Sequence, residues 1–101
     1  MDRNTFTTQL ALDGYSRIET NVLEPKPSNA EHAHDHDIRG LVLAGIFMIW
    51  MDNRPVSYHS GEVFAVASGI KHAEQVGPNG AHVVIGRRWP TQNQPTTELT
   101  S

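Results

Sequence analysis

Cysteine is absent from this 101-residue chain. Its absence removes disulfides, thiolate nucleophiles and sulfur-ligated metal sites together. Any metal must therefore be held by nitrogen and oxygen donors. Charge is also scarce: 8 Lys and Arg against 11 Asp and Glu leave a net charge of −3. That balance offers no electrostatic footprint for nucleic acid or for an anionic membrane surface. No apolar run approaches the roughly 20 residues of a membrane span, and the N-terminus lacks the basic and apolar regions of a signal peptide. A cytoplasmic protein is expected. Hydrophobic residues make up only 38% of the chain, so the core is small and a homodimer interface would help to complete it.

Histidine, by contrast, is concentrated. Three of the six histidines fall at i, i+2 and i+4, as His32, His34 and His36. On a strand, that spacing puts all three imidazoles on one face, whereas a helix would scatter them. The run then turns apolar at Leu41-Val42-Leu43, as a strand entering a core does.

The flanking sequence reads as a series of short elements. Residues 4–13 carry weak helical periodicity through Phe6 and Leu10, with Asn4 or Thr5 as cap and Gly14 as stop. Residues 15–23 alternate like an edge strand, and residues 24–29, with two prolines, form a loop. Ala44-Gly45 is a turn or bend. Residues 46–51 are apolar at every position, the pattern of a strand buried on both faces. One face would meet a barrel interior and the other a second sheet or a partner subunit. Asp52-Asn53-Arg54-Pro55 and Ser68-Gly69 are turns, separating short strands over 56–59, 62–66 and 71–76. Gly77-Pro78-Asn79-Gly80 predicts a hairpin turn before a final strand over 81–86. From Pro90 onward Thr, Gln, Asn and Pro dominate, and a frayed tail is expected. The chain thus divides into an N-terminal helix or arm (1–14), a barrel (15–89) and a flexible tail (90–101). Short strands with a turn about every 8–12 residues argue an all-β sandwich or barrel.

Two pieces of the sequence pair up. His32-x-His34 is followed by Gly45, and Gly61-x5-Ala67-x-Gly69-x2-His72 follows 15 residues later. Together they resemble the two motifs of the cupin superfamily, over residues 20–88. The resemblance implies a double-stranded β-helix barrel of the jelly-roll type, here with one short N-terminal helix. It also implies one divalent metal, Fe, Mn, Ni or Zn, held by His32, His34 and His72 with a nearby carboxylate.

The carboxylate position departs from the family pattern. Four residues after His34, where the family usually places it, stands Ile38, and Asp37 comes one residue early. A strand bulge would re-aim Asp37. Asp37 is the expected fourth ligand, with water, His36 and Glu74 as the alternatives; Glu74 shares the face of His72. Either Glu74 or His36 would serve as proton acceptor if it points inward.

The expected activity is metal-dependent chemistry on a small organic molecule, of dioxygenase or isomerase type. The competing readings are a small-molecule binding or sensing module and a metal-free structural dimer. Bland roles are expected elsewhere. His59 and His82 read as structural or exposed, and Phe47, Ile49, Trp50 and Phe64 as core or interface rather than substrate platform. Arg39 reads as an exposed ion-pair partner of Asp37, and Arg87-Arg88 as a solvated strand end.

Overall fold

The computed structural model describes residues 1–90, so the tail expected from residue 90 lies outside the described residues but for Pro90 itself. A single helix, α1 (Arg3–Leu12), precedes five strands: β1 (Ser16–Leu23), β2 (Asp37–Met51), β3 (Arg54–Tyr58), β4 (Val63–Val66) and β5 (Ala73–Arg88). All pairings are antiparallel, in the order β1-β5-β2-β3, with β4 also paired to β2. The strands build the jelly-roll barrel that the two motifs imply. No helix among the described residues is long and apolar enough to cross a membrane.

The helix cap lies two residues before the earlier of its two expected positions. Asp2, not Asn4 or Thr5, caps the helix, accepting from the Thr5 amide at 2.8 Å through Oδ1. Phe6 and Leu10, both fully buried, then seat α1 on the outer face of the sheet against Leu41 and Val84.

One expected turn proves to be a bend within a long strand, and the expected turn or bend at Ala44-Gly45 is a bend too. Gly77-Pro78-Asn79-Gly80 is no hairpin, because β5 runs unbroken through it; Ala44-Gly45 likewise lies inside β2. The ladder between these strands slips register between Val42 and Ala44 and again between Gly45 and Phe47. Such slips are bulges, which bend a strand sharply without ending it. Gly45 and Gly80 both take positive φ, 79° and 75°. A Cβ on Gly45 would stand 2.1 Å from the Gly80 carbonyl oxygen, so the two backbones meet where no side chain fits. The glycines expected to reverse the chain instead let two paired strands fold over together.

Genuine reversal occurs at Asp52-Asn53, where both residues have positive φ (52° and 61°) and Met51 pairs with Arg54. A two-residue loop with this twist suits a hairpin. Pro55 then falls on β3, an edge strand whose spare side needs no amide.

Side-chain parity divides the interior from the helix-covered face. On β2, Val42 enters the barrel core while Leu41 turns to the helix; on β5, Val83 and Val84 divide the same way. Phe47, Ile49 and Phe64 are core, as expected. Within the apolar run 46–51 only Phe47 and Ile49 are fully buried: Ile46, Met48, Trp50 and Met51 stay half-buried. Trp50 satisfies its indole N–H on Gln75 Oε1 at 3.0 Å.

Candidate metal centre

The histidine segment is extended but is not a regular strand, since β2 begins only at Asp37. It is held instead by an irregular ribbon with the chain entering β5. Lys26 bridges Val76, and the Asn29 amide donates to the Glu74 carbonyl at 3.1 Å. His32 and His72 exchange both backbone hydrogen bonds at 2.9 Å, and the Gly69 amide donates to the His34 carbonyl at 2.8 Å. The two motifs therefore meet backbone to backbone. Alternation along each partner does the rest: His32 and His34 project from one segment, His72 and Glu74 from the other.

Ligand atoms of His32, His34, His72 and Glu74 all lie within 4.8 Å of one another. The ring centroids of His32 and His72 are 4.5 Å apart, and those of His34 and His72 are 5.3 Å apart. Two backbone carbonyls set the tautomers. His72 Nδ1 lies 3.0 Å from the Ile70 oxygen, and His32 Nδ1 lies 2.9 Å from the Ala30 oxygen. A carbonyl only accepts, so each Nδ1 carries the proton, and in the neutral ring Nε2 keeps its lone pair. Metal-binding histidines are oriented in this way by their second nitrogen.

The strongest sign is His72. Its side chain is 0% exposed, yet Nε2 has no hydrogen-bond partner. Glu74 Oε2 lies 3.4 Å from that nitrogen, so in the neutral ring two acceptors face each other with no proton between them. A buried polar atom left unpaired costs free energy, and such atoms are rare outside functional sites. A cation between His72 and Glu74 would satisfy both. The donor set, three imidazoles and one carboxylate, fits a divalent transition metal. Burial first, and then neighbouring His32, His36 and His72, hold the pKa of His34 below its ordinary value. That favours the neutral ring a metal requires.

Asp37 stands apart from this cluster. Its Oδ1 accepts from the Ser68 amide at 2.9 Å, and its Oδ2 accepts from Arg88 Nε and Nη2 at 3.1 and 2.9 Å. Those bonds, the Ser68 amide foremost, lower its pKa. No bulge turns it toward His34, because the slips of β2 come later, at residues 42–47. Ile38, at the family's carboxylate position, lines the same cavity as the histidines. The carboxylate that reaches the cluster is Glu74, from the opposite segment.

His36 lies beside the cluster rather than in it. Its ring stacks on His34 at 5.0 Å and meets Trp89 at 4.7 Å. Asp35 Oδ1 sits 2.9 Å from His36 Nδ1, and this bond is the main cause of the lowered Asp35 pKa.

The cluster opens into a cavity of about 250 Å³. Phe47, Phe64, Ile38 and Ile85 supply its apolar wall, and Lys26 and Arg87 also line it. Gly40 makes room for the wall: a Cβ there would lie 2.0 Å from the Phe64 ring. Arg87 is thus no solvated strand end, and Arg88 is held by Asp37. Sequence reasoning missed Lys26 and Arg87. The parity of Val83, Ile85 and Arg87 on one strand was the available signal for the second. Nor does Arg39 pair with Asp37; it pairs with Asp13 at 2.6 Å. His59 and His82 are exposed, as expected.

Comparison with known proteins agrees on the fold. No protein-family model and no curated protein matches the chain. Among solved structures, it is similar to a cupin-2 domain protein from Shewanella frigidimarina, with TM-score 0.60 and 18% identity over 82% of this chain and 92% of that one. A cupin protein from Bacteroides fragilis gives 0.61 and 17%, covering 89% and 78%. The EutQ protein of Clostridium difficile gives 0.62 and 22%, covering 70% and 54%. The chain spans 64% of the length of a Streptococcus pyogenes protein of unknown function that it also matches. The fold is that of the cupins. Within that fold, His32, His34, His72 and Glu74 form a cluster that could hold a metal.

Proposed function

We propose that the chain binds one divalent metal, Fe, Mn, Ni or Zn, through His32, His34, His72 and Glu74. In this reading it is a cytoplasmic enzyme of dioxygenase or isomerase type acting on a small organic molecule. The observation that carries the proposal is the buried, unpartnered Nε2 of His72 beside the Glu74 carboxylate. A bound metal would supply Lewis acidity at coordination positions left open to the cavity.

The chain's own residues have separable tasks. The Ile70 and Ala30 carbonyls fix the tautomers of His72 and His32. Asp35 holds the His36 Nδ1 proton, which leaves Nε2 as the nitrogen that takes up or returns a proton. Phe47 and Phe64, with rings 4.8 Å apart, keep water from the apolar wall. His36, which lines the cavity beside the four ligands and is free for proton transfer, favours catalysis over mere binding. The half-buried outer face of residues 46–51 supports a homodimer, which light scattering on the purified chain tests.

Metal content decides the main proposal. Untagged protein, incubated with each of the four metals and desalted, should carry about one ion per chain by mass spectrometry. The His32→Ala/His72→Ala variant should carry none. Sub-stoichiometric metal in the parent, unchanged in the variant, would overturn the reading.

A further inference from the structure

The cavity holds two cationic groups that the metal centre does not use. Parity on β5 sends Val83, Ile85 and Arg87 to the barrel side and Val84, Gly86 and Arg88 to the helix side. Arg88 uses all three of its nitrogens: Nε and Nη2 on Asp37, and Nη1 on the Asp13 carbonyl at 3.0 Å. Arg87 is served poorly. Its Nη1 donates to the Arg17 carbonyl at 3.2 Å and to Glu19 Oε1 at 3.4 Å. Its Nε and Nη2 bond to no described residue, although its side chain is only 25% exposed. Lys26 also lines the cavity; it is solvent-exposed and has no ion pair and no side-chain hydrogen bond among the described residues.

A guanidinium offers a rigid fork of donors whose spacing matches a carboxylate, and unused donors in a partly desolvated site are costly. The remaining wall, Leu23, Ile38, Phe47, Phe64 and Ile85, is apolar. The cavity, at about 250 Å³, lies below the roughly 300–1,000 Å³ of sites for drug-sized ligands. Glu74 disfavours a second negative charge in so small a space.

We propose that this cavity takes a small organic monocarboxylate with an apolar body. Arg87 and Lys26 hold its carboxylate, while its apolar part lies on Phe47, Phe64 and Ile85. The inference deepens the metal reading by naming the substrate class of the same cavity, but its recognition elements are independent of the metal ligands.

Calorimetric titration of the full-length chain, stripped of metal with EDTA, tests it. The probes are benzoate and butyrate, each against its neutral amide, with inorganic phosphate as the competing anion. The acids should bind about tenfold or more tightly than the amides and than phosphate. Arg87→Met should abolish the preference for acids, and Lys26→Met should reduce it, with metal uptake by both variants unchanged. That uptake also shows that the variants fold. Equal binding of acid and amide, no binding of either, tighter binding of phosphate, or a preference that survives Arg87→Met would each overturn the inference. Metal uptake, counted on a separate portion of each preparation reloaded with metal and desalted, keeps the two readings apart. Full metal uptake without acid preference overturns this inference alone, whereas acid preference without metal uptake overturns only the metal reading.

Discussion

Arg87 and Arg88 are neighbours on β5, yet they belong to two polar clusters built on different logic. Arg88 joins Asp37, Asp13, Arg39 and Tyr15 beneath the helix. There each carboxylate has a guanidinium, at 2.9 Å for Asp37 and 2.6 Å for Asp13. Both guanidiniums also stack on the Tyr15 ring, each 4.6 Å from its centroid. The group is closed, with its charges answered from within the fold. Across the sheet, the cluster of His32, His34, His72 and Glu74 leaves a buried nitrogen unanswered, and Arg87 keeps donors to spare. A satisfied polar network rigidifies a fold, whereas one with a buried unpaired atom is costly and marks a place for a ligand. Function is therefore expected on the incomplete side and stability on the other.

Substitutions can break that contrast. The largest effect is expected on the helix side from Leu10→Ala, which empties a fully buried site and should cost about 3 kcal/mol in urea unfolding. Metal stoichiometry of the folded variant should not change.

Next comes Asp37→Ala. It strips Arg88 of two charge-assisted bonds and the Ser68 amide of its acceptor, and should cost about 2 kcal/mol. Metal affinity should stay at the parent value. A drop of tenfold or more would place Asp37 among the ligands and erase the separation of the two clusters.

Asn29→Ala should show the reverse pattern. Asn29 Oδ1 accepts from the Glu74 amide at 2.9 Å and so steadies that carboxylate from behind. Metal affinity, read by competition with a chromogenic chelator, should fall about tenfold, the lower end for lost supporting contacts. Stability of the metal-free protein should barely move.

The smallest effect concerns acid. Folding lowers the Asp37 pKa from its ordinary 3.8. The stabilisation this provides is complete above that value and is lost as pH falls below it toward the folded-state pKa. Asp37→Asn should flatten that part of the stability curve, as followed by circular dichroism between neutral pH and acid.

Which parts could be read from the sequence follows from how far each residue's partners lie along the chain. The histidine spacing is local, so parity alone put His32 and His34 on one side and Glu74 with His72. The role of Asp37 was not legible, because its partners Ser68 and Arg88 stand 31 and 51 positions away. Gly77-Pro78-Asn79-Gly80 has every local mark of a hairpin. The long ladder between β2 and β5 overrides those marks and turns them into a bend. Arg87 was misjudged because its neighbour was treated as its equal, although strand alternation carries on to Arg88.

The backbone bridge between His32 and His72 has one further consequence, for the order in which the chain matures. The two histidines are 40 positions apart, so the four-residue cluster has no counterpart in a partly synthesised chain. During translation His32 and His34 emerge first, without their partners His72 and Glu74. The full grip closes when the segment carrying His72 and Glu74 arrives and the loop-closure entropy has been met. On the metal reading proposed above, the four-residue grip on a cation waits until both segments are in place.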